Sequence, residues 1–93
     1  MSLPHMTAAS GNVPEADSDV AFLRGIVAIL VATRKSRGVT LRELGESTGY
    51  NWGYLSRAER GLTQPGVVSL CKWCRALGLD FVGVAQQAKE SKD

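Results

Sequence analysis

The sequence predicts an all-α fold, a compact bundle of four to five short helices. Three observations predict it. Apolar residues recur at helical spacing in several stretches, and no stretch alternates as a strand would. Caps and stops punctuate those stretches: Thr40, Asn51 and Asp80 at starts, Gly49, Gly61 and Gly78 at ends. The segment from Thr40 to Gly61 reads as two short helices across a tight turn, the helix-turn-helix pattern.

That segment organises the chain. Thr40 and Glu43 have the spacing of a capping box, in which hydroxyl and carboxylate each accept the other residue's amide. Gly49 suits the positive φ of a helix C-terminus. Asn51 is a preferred N-cap for the next helix. Gly45 is small enough for that helix to cross close by, and Leu44, Tyr50, Leu55 and Ala58 wedge the pair onto a core. An ordinary helical hairpin would carry several of the same marks.

Residues 1–16 hold two of the three prolines, show no periodicity and are expected to form a mobile arm. Within it, 1–5 resemble an expression tag, and His5 is the only histidine. Residues 17–89 form the expected domain, and 90–93 an expected frayed tail. The first helix is expected from Asp17 or Ser18 to Ser36, with Leu23, Ile26, Val27 and Leu30 as its stripe. Phe22, Ile29 and Val31 lie off that stripe, so a second face needs cover, from the last helix or, the favoured reading, from another subunit. Val39 is expected to plug the core. The next helices span about 41–48 and 52–60. Pro65 suits the first position of a fourth helix that runs to Leu77, with Val67, Leu70, Cys71, Cys74 and Leu77 as its stripe. Asp80 can cap a fifth helix from Phe81 to Lys89, with Phe81, Val82, Val84, Ala85 and Ala88 apolar.

The 93 residues suffice for one domain, and 44% apolar content is too high for a disordered chain. Net charge is only +2, but it is unevenly placed. From Arg34 to Arg60 six basic residues (Arg34, Lys35, Arg37, Arg42, Arg57, Arg60) face three acidic ones (Glu43, Glu46, Glu59). A phosphate-binding footprint needs such local excess, and a solvated surface tolerates it. The apolar run of 20–33 is too short to cross a membrane and contains Arg24. With no secretory pattern at the N-terminus, a cytoplasmic protein is expected. Catalysis is not expected, because no base stands beside a nucleophile and no phosphate loop is present. Cys71 and Cys74 form CxxC without a second ligand pair, so no metal or cofactor is expected and both sulfurs are expected in the core.

Laid out this way, the chain resembles the phage-repressor-like (Cro-type, XRE) helix-turn-helix family over roughly Leu23 to Val84. The resemblance rests on LRELGESTGY, YLSRAERG, the proline of TQPG, and CKWCRALGLD. It implies a lambda-repressor-like bundle, of bacterial or phage origin, that binds double-stranded operator DNA as a dimer, commonly as a repressor. It implies an ion pair between Arg34 and Glu59, with Arg34 also facing a phosphate. Thr40 and Leu41 would present the start of the second helix to a phosphate, Leu41 through its amide alone. Asn51, Trp52, Gly53, Ser56 and Arg57 match the groove-facing positions, and Arg60 and Gln64 flank them.

The chain departs from the family at Thr48, usually apolar, and at Trp52 and Gly53, where relatives place polar residues. Trp52 has one donor and no acceptor, so it can press on a thymine methyl but cannot make a bidentate base contact. Arg57 is the best candidate for a guanine edge. Asn51 can read an adenine or cap its helix. Apolar surface at Phe22, Ile29, Trp73 and Phe81 is expected to form the dimer. An alternative is a protein-interaction module on the same fold, the partner of a toxin, sigma factor or repressor, with Trp52 and Tyr54 as its patch.

Overall fold

The computed structural model describes residues 13–90, with side chains from Ser18 onward. Of the arm expected at 1–16, residues 1–12 with His5 lie outside the described residues, as do 91–93 of the tail expected at 90–93; Glu90 belongs to the last helix. Five helices follow one another: α1 Val13–Ser36, α2 Leu41–Thr48, α3 Trp52–Glu59, α4 Val67–Ala76 and α5 Phe81–Glu90. No strand occurs among the described residues.

α1 begins four residues before the expected N-cap, so 13–16 are helical and not arm. Pro14 explains the early start. In the first helical turn its missing N–H has no intrahelical partner to lose. Arg34 and Lys35 lie in the last turn, at the negative end of the helix.

One core joins all five helices. It contains Ile26, Val27 and Leu30 of α1, Leu44 of α2, Leu55 and Ala58 of α3, Leu70, Trp73 and Cys74 of α4, Leu77, and Val84 and Ala88 of α5. Val39, Tyr50 and Phe81 pack against it, half-buried.

α5 lies along α1 and covers its second face, the last-helix alternative of the two expected. Small residues permit the approach: a Cβ on Gly25 would stand 3.4 Å from Ala88 Cβ. Phe22 and Ile29 are therefore half-buried within one protomer.

The phase of α4 differs from expectation. Its buried line is Leu70, Trp73, Cys74 and Leu77, at i, i+3, i+4 and i+7. Val67 is exposed and Cys71 only half-buried. Trp73, expected at a subunit contact, is 0% exposed at the centre of the core. Burying a whole indole stabilises more than burying a valine, and the helix is rotated accordingly. Pro65 is not in the helix. It is buried one residue before the N-cap, Gly66. Val82, expected on the apolar side of α5, is exposed.

Candidate nucleic-acid interface

α2 starts on a complete capping box. The Glu43 amide donates to Thr40 Oγ1 at 3.0 Å, and the Thr40 amide to Glu43 Oε1 at 2.9 Å. α2 ends at Gly49, with φ 84°, whose amide donates to the Gly45 carbonyl at 2.8 Å. Only glycine adopts that φ without strain. Thr48, the family departure, is explained by the turn. Its hydroxyl donates to the Leu44 carbonyl at 2.8 Å and accepts the Tyr50 amide at 3.2 Å. An apolar residue there would leave that amide without this partner.

α3 is seated by contact and by hydrogen bonds. A Cβ on Gly45 would fall 2.9 Å from the Tyr50 carbonyl oxygen and 3.7 Å from the Trp52 nitrogen, so α2 admits the start of α3 only because residue 45 has no side chain. On the far side, Tyr54 Oη donates to Ser69 Oγ at 3.3 Å, and Ser69 Oγ donates to Tyr50 Oη at 3.1 Å. The two tyrosine rings are 5.5 Å apart, and Lys72 Nζ stands 5.5 Å from the Tyr50 ring centre. This chain ties the turn, α3 and α4 together. No local spacing announces it, because Ser69 is 15 residues from Tyr54. Tyr54 thus faces α4 and is not part of an outward patch with Trp52.

Arg34 and Glu59 form a bidentate pair, Nε to Oε2 at 2.6 Å and Nη2 to Oε1 at 2.9 Å. The third guanidinium nitrogen, Nη1, donates to the Val39 carbonyl at 2.7 Å. The side chains are 11% and 9% exposed. Each Arg34 nitrogen therefore makes one bond to the protein, which uses three of the five guanidinium N–H donors. Arg37 is also drawn to the protein, donating through Nη1 to the Leu77 carbonyl.

Asn51 is the N-cap of α3. Its Oδ1 accepts the Gly53 amide at 2.7 Å and the Tyr54 amide at 3.4 Å. Bidentate reading of adenine needs that acceptor free, so the cap is the role this geometry supports. The cap also accounts for Gly53, where a Cβ would lie 2.8 Å from Asn51 Oδ1.

With Leu55 and Ala58 turned inward, Trp52, Gly53, Ser56 and Arg57 share the outward face of α3 by helical geometry. Trp52 is 58% exposed and Arg57 is exposed. Arg57 Nη1 lies 3.6 Å from the Cβ position of Gly53, so the guanidinium folds back over the bare backbone. Thr40, Arg60 and Gln64 are exposed, and Leu41 is half-buried. Arg60 and Gln64 also line a recess of about 300 Å³ against α1, whose rim includes Arg24. Arg24 drew no functional expectation from the sequence, because nothing local links it to Arg60.

The caps, the glycine turn and the outward α3 face define a helix-turn-helix protein. Residues 30–84 match the helix-turn-helix family model, and the chain belongs to that family, of the XRE type. Among named proteins it is similar to the transcriptional regulator ClgR of two Mycobacterium tuberculosis strains, 39% identical over 71 residues. That match covers 75% of this chain and 63% of the relative, so the chain spans under two thirds of that protein's length. It is also similar to the uncharacterized HTH-type transcriptional regulator y4dJ of Sinorhizobium fredii, 33% identical over 58 residues, covering 62% of this chain and 75% of that one. The fold matches crystal structures of the clp gene regulator ClgR from Corynebacterium glutamicum. One, at TM-score 0.67 and 37% identity, covers 75% of this chain and 74% of its own. The other, at 0.67 and 36%, covers 77% and 92%.

Proposed function

We propose that this chain is a sequence-specific DNA-binding transcriptional regulator, a cytoplasmic repressor that acts as a homodimer. One observation carries the reading: Trp52 and Arg57 stand exposed on the outward face of α3, while Leu55 and Ala58 bury its opposite face in the core. α3 enters the major groove. The amides at the starts of α2 and α3 that the caps leave over, with Arg60 and Gln64, hold phosphates on either side. Arg57 reads a guanine edge. The relatives' names as transcriptional regulators support the same reading.

The dimer would use α1 and α5. Between them Phe22, Val82, Ala85, Gln86, Lys89 and Glu90 line an open groove, and Val82 is exposed. Phe22, Ile29 and Phe81 would lie at or beside this contact; Trp73 is withdrawn from it. A two-fold axis there would set two α3 helices about one DNA turn apart. Sedimentation at high micromolar concentration tests this, and a monomer counts against it.

A second reading is favoured by a specific observation. Trp52, Leu62, Val67 and Val68 are all exposed large apolar residues on α3 and the segments after it. A protein-interaction module would use them. Selection from a random duplex library decides between the two, followed by a salt titration of the selected site. DNA binding predicts enrichment of one motif and affinity that falls steeply with salt, the slope growing by about 0.9 per phosphate neutralised. No enrichment, or affinity indifferent to salt, defeats the DNA reading.

A further inference from the structure

We infer that Trp52 is a methyl reader: its indole takes the C5-methyl of a thymine, or of a 5-methylcytosine, in the major groove. The inference rests on the DNA reading above and deepens it.

Trp52 opens α3 and is more than half exposed, and no hydrogen bond engages its indole among the described residues. Its backbone is not free to retreat. The seat at Gly45 holds the Trp52 nitrogen and Cβ at 3.7 and 3.8 Å from where a side chain would begin. Behind it Asn51 fixes the amides of Gly53 and Tyr54. The ring is therefore a large apolar plate on a rigid mount, standing on the face that α3 presents.

A plate of that kind discriminates only by what it desolvates. The edges of base pairs in the major groove offer donors, acceptors and one apolar group, the pyrimidine C5-methyl. An indole gains from covering that methyl. Over a cytosine amine or a guanine carbonyl it strips water and returns at most one hydrogen bond, from Nε1. The bare Gly53 beside it lets the backbone approach the groove floor, and Arg57, folded over Gly53, supplies the charged half of the same face. The face is thus divided by chemistry, with a guanine for Arg57 and a methylated pyrimidine for Trp52.

The test uses the full chain and the duplex it selects. Each thymine is replaced singly by deoxyuridine, which removes the methyl and leaves the pairing edge intact, and affinity is read by fluorescence anisotropy. One thymine per half-site is expected to show about fourfold weaker binding on losing its methyl, the factor expected for one buried methyl-sized group. In Trp52→Ala the same replacement should have no effect, while Trp52→Phe should keep part of it. Melting curves of both variants should overlay the parent, because the side chain lies outside the core. A site at which no uracil weakens binding overturns the inference but leaves the DNA reading standing, as does a penalty that persists in Trp52→Ala. A chain that selects no duplex at all overturns both, and assigns Trp52 to a protein contact.

Discussion

Removal of the Glu59 carboxylate should unlatch the domain. Arg34 and Glu59 meet through two charge-assisted bonds at 2.6 and 2.9 Å, with side chains 11% and 9% exposed. Deleting one partner of a buried pair leaves the other charge uncompensated, a loss of about 3–5 kcal/mol. A domain of this size melts about 4–8 °C lower per kcal/mol, so Glu59→Ala should lower Tm by roughly 12–40 °C. That is a large share of the roughly 5–15 kcal/mol that holds a small domain folded. Glu59→Gln keeps one acceptor oxygen and should lose less. The double variant Arg34→Met/Glu59→Leu removes both charges and should recover to within about 1 kcal/mol of the parent or exceed it. Urea unfolding followed by far-ultraviolet circular dichroism reads all three, provided the slope is unchanged. A loss under about 1 kcal/mol for Glu59→Ala would refute the reasoning, because the pair would then behave as a solvated surface bridge.

Other consequences can be measured on the same material. Gly45→Ala places a methyl 2.9 Å from a backbone oxygen, so the gain in helix propensity should be outweighed and about 1–2 kcal/mol lost in the same titration. Trp73→Ala should lower stability by about 3–5 kcal/mol, whereas Trp73→Phe should lose about 1.5 kcal/mol or less. The buried Nε1 that Phe removes has no hydrogen-bond partner among the described residues, and an equal loss for both variants would contradict that. Burial, then the neighbouring Cys71 and Asp80, push the Cys74 thiol above its ordinary value of 9.0. Its contribution to stability is therefore complete below pH 9.0 and declines as pH rises beyond it; Cys74→Ala should flatten that decline in urea titrations at alkaline pH. Arg57→Ala should relax base preference at one position by about 1–3 kcal/mol while leaving the salt slope nearly unchanged, read by competition between selected and singly altered duplexes.

The elements whose signals are local were legible in the sequence. Thr40, Glu43, Gly49 and Asn51 each act within four residues, and α2 runs from Leu41 to Thr48 as their spacing predicts. The phase of α4 was not legible. Apolar residues cover most of its circumference, so periodicity fits two lines, and only packing chooses the one through Trp73. The start of α1 was obscured because Pro14 reads as a breaker yet is tolerated in a first turn. At the candidate site, the sequence identified which residues stand on α3 and what chemistry each carries. It did not show that Arg34 bonds the Val39 carbonyl as well as Glu59, or that Asn51 and Gly53 serve one cap. Those facts depend on groups 25 residues apart and on the clash of an atom that glycine lacks.

The seat at Gly45 has a consequence for how such a protein changes over generations. What anchors α3 lies beneath it, and what would meet a partner lies above. Trp52, Ser56 and Arg57 can thus be exchanged with little penalty to folding. A lineage can acquire new targets by rewriting three letters, and the architecture that displays them need not be relearned.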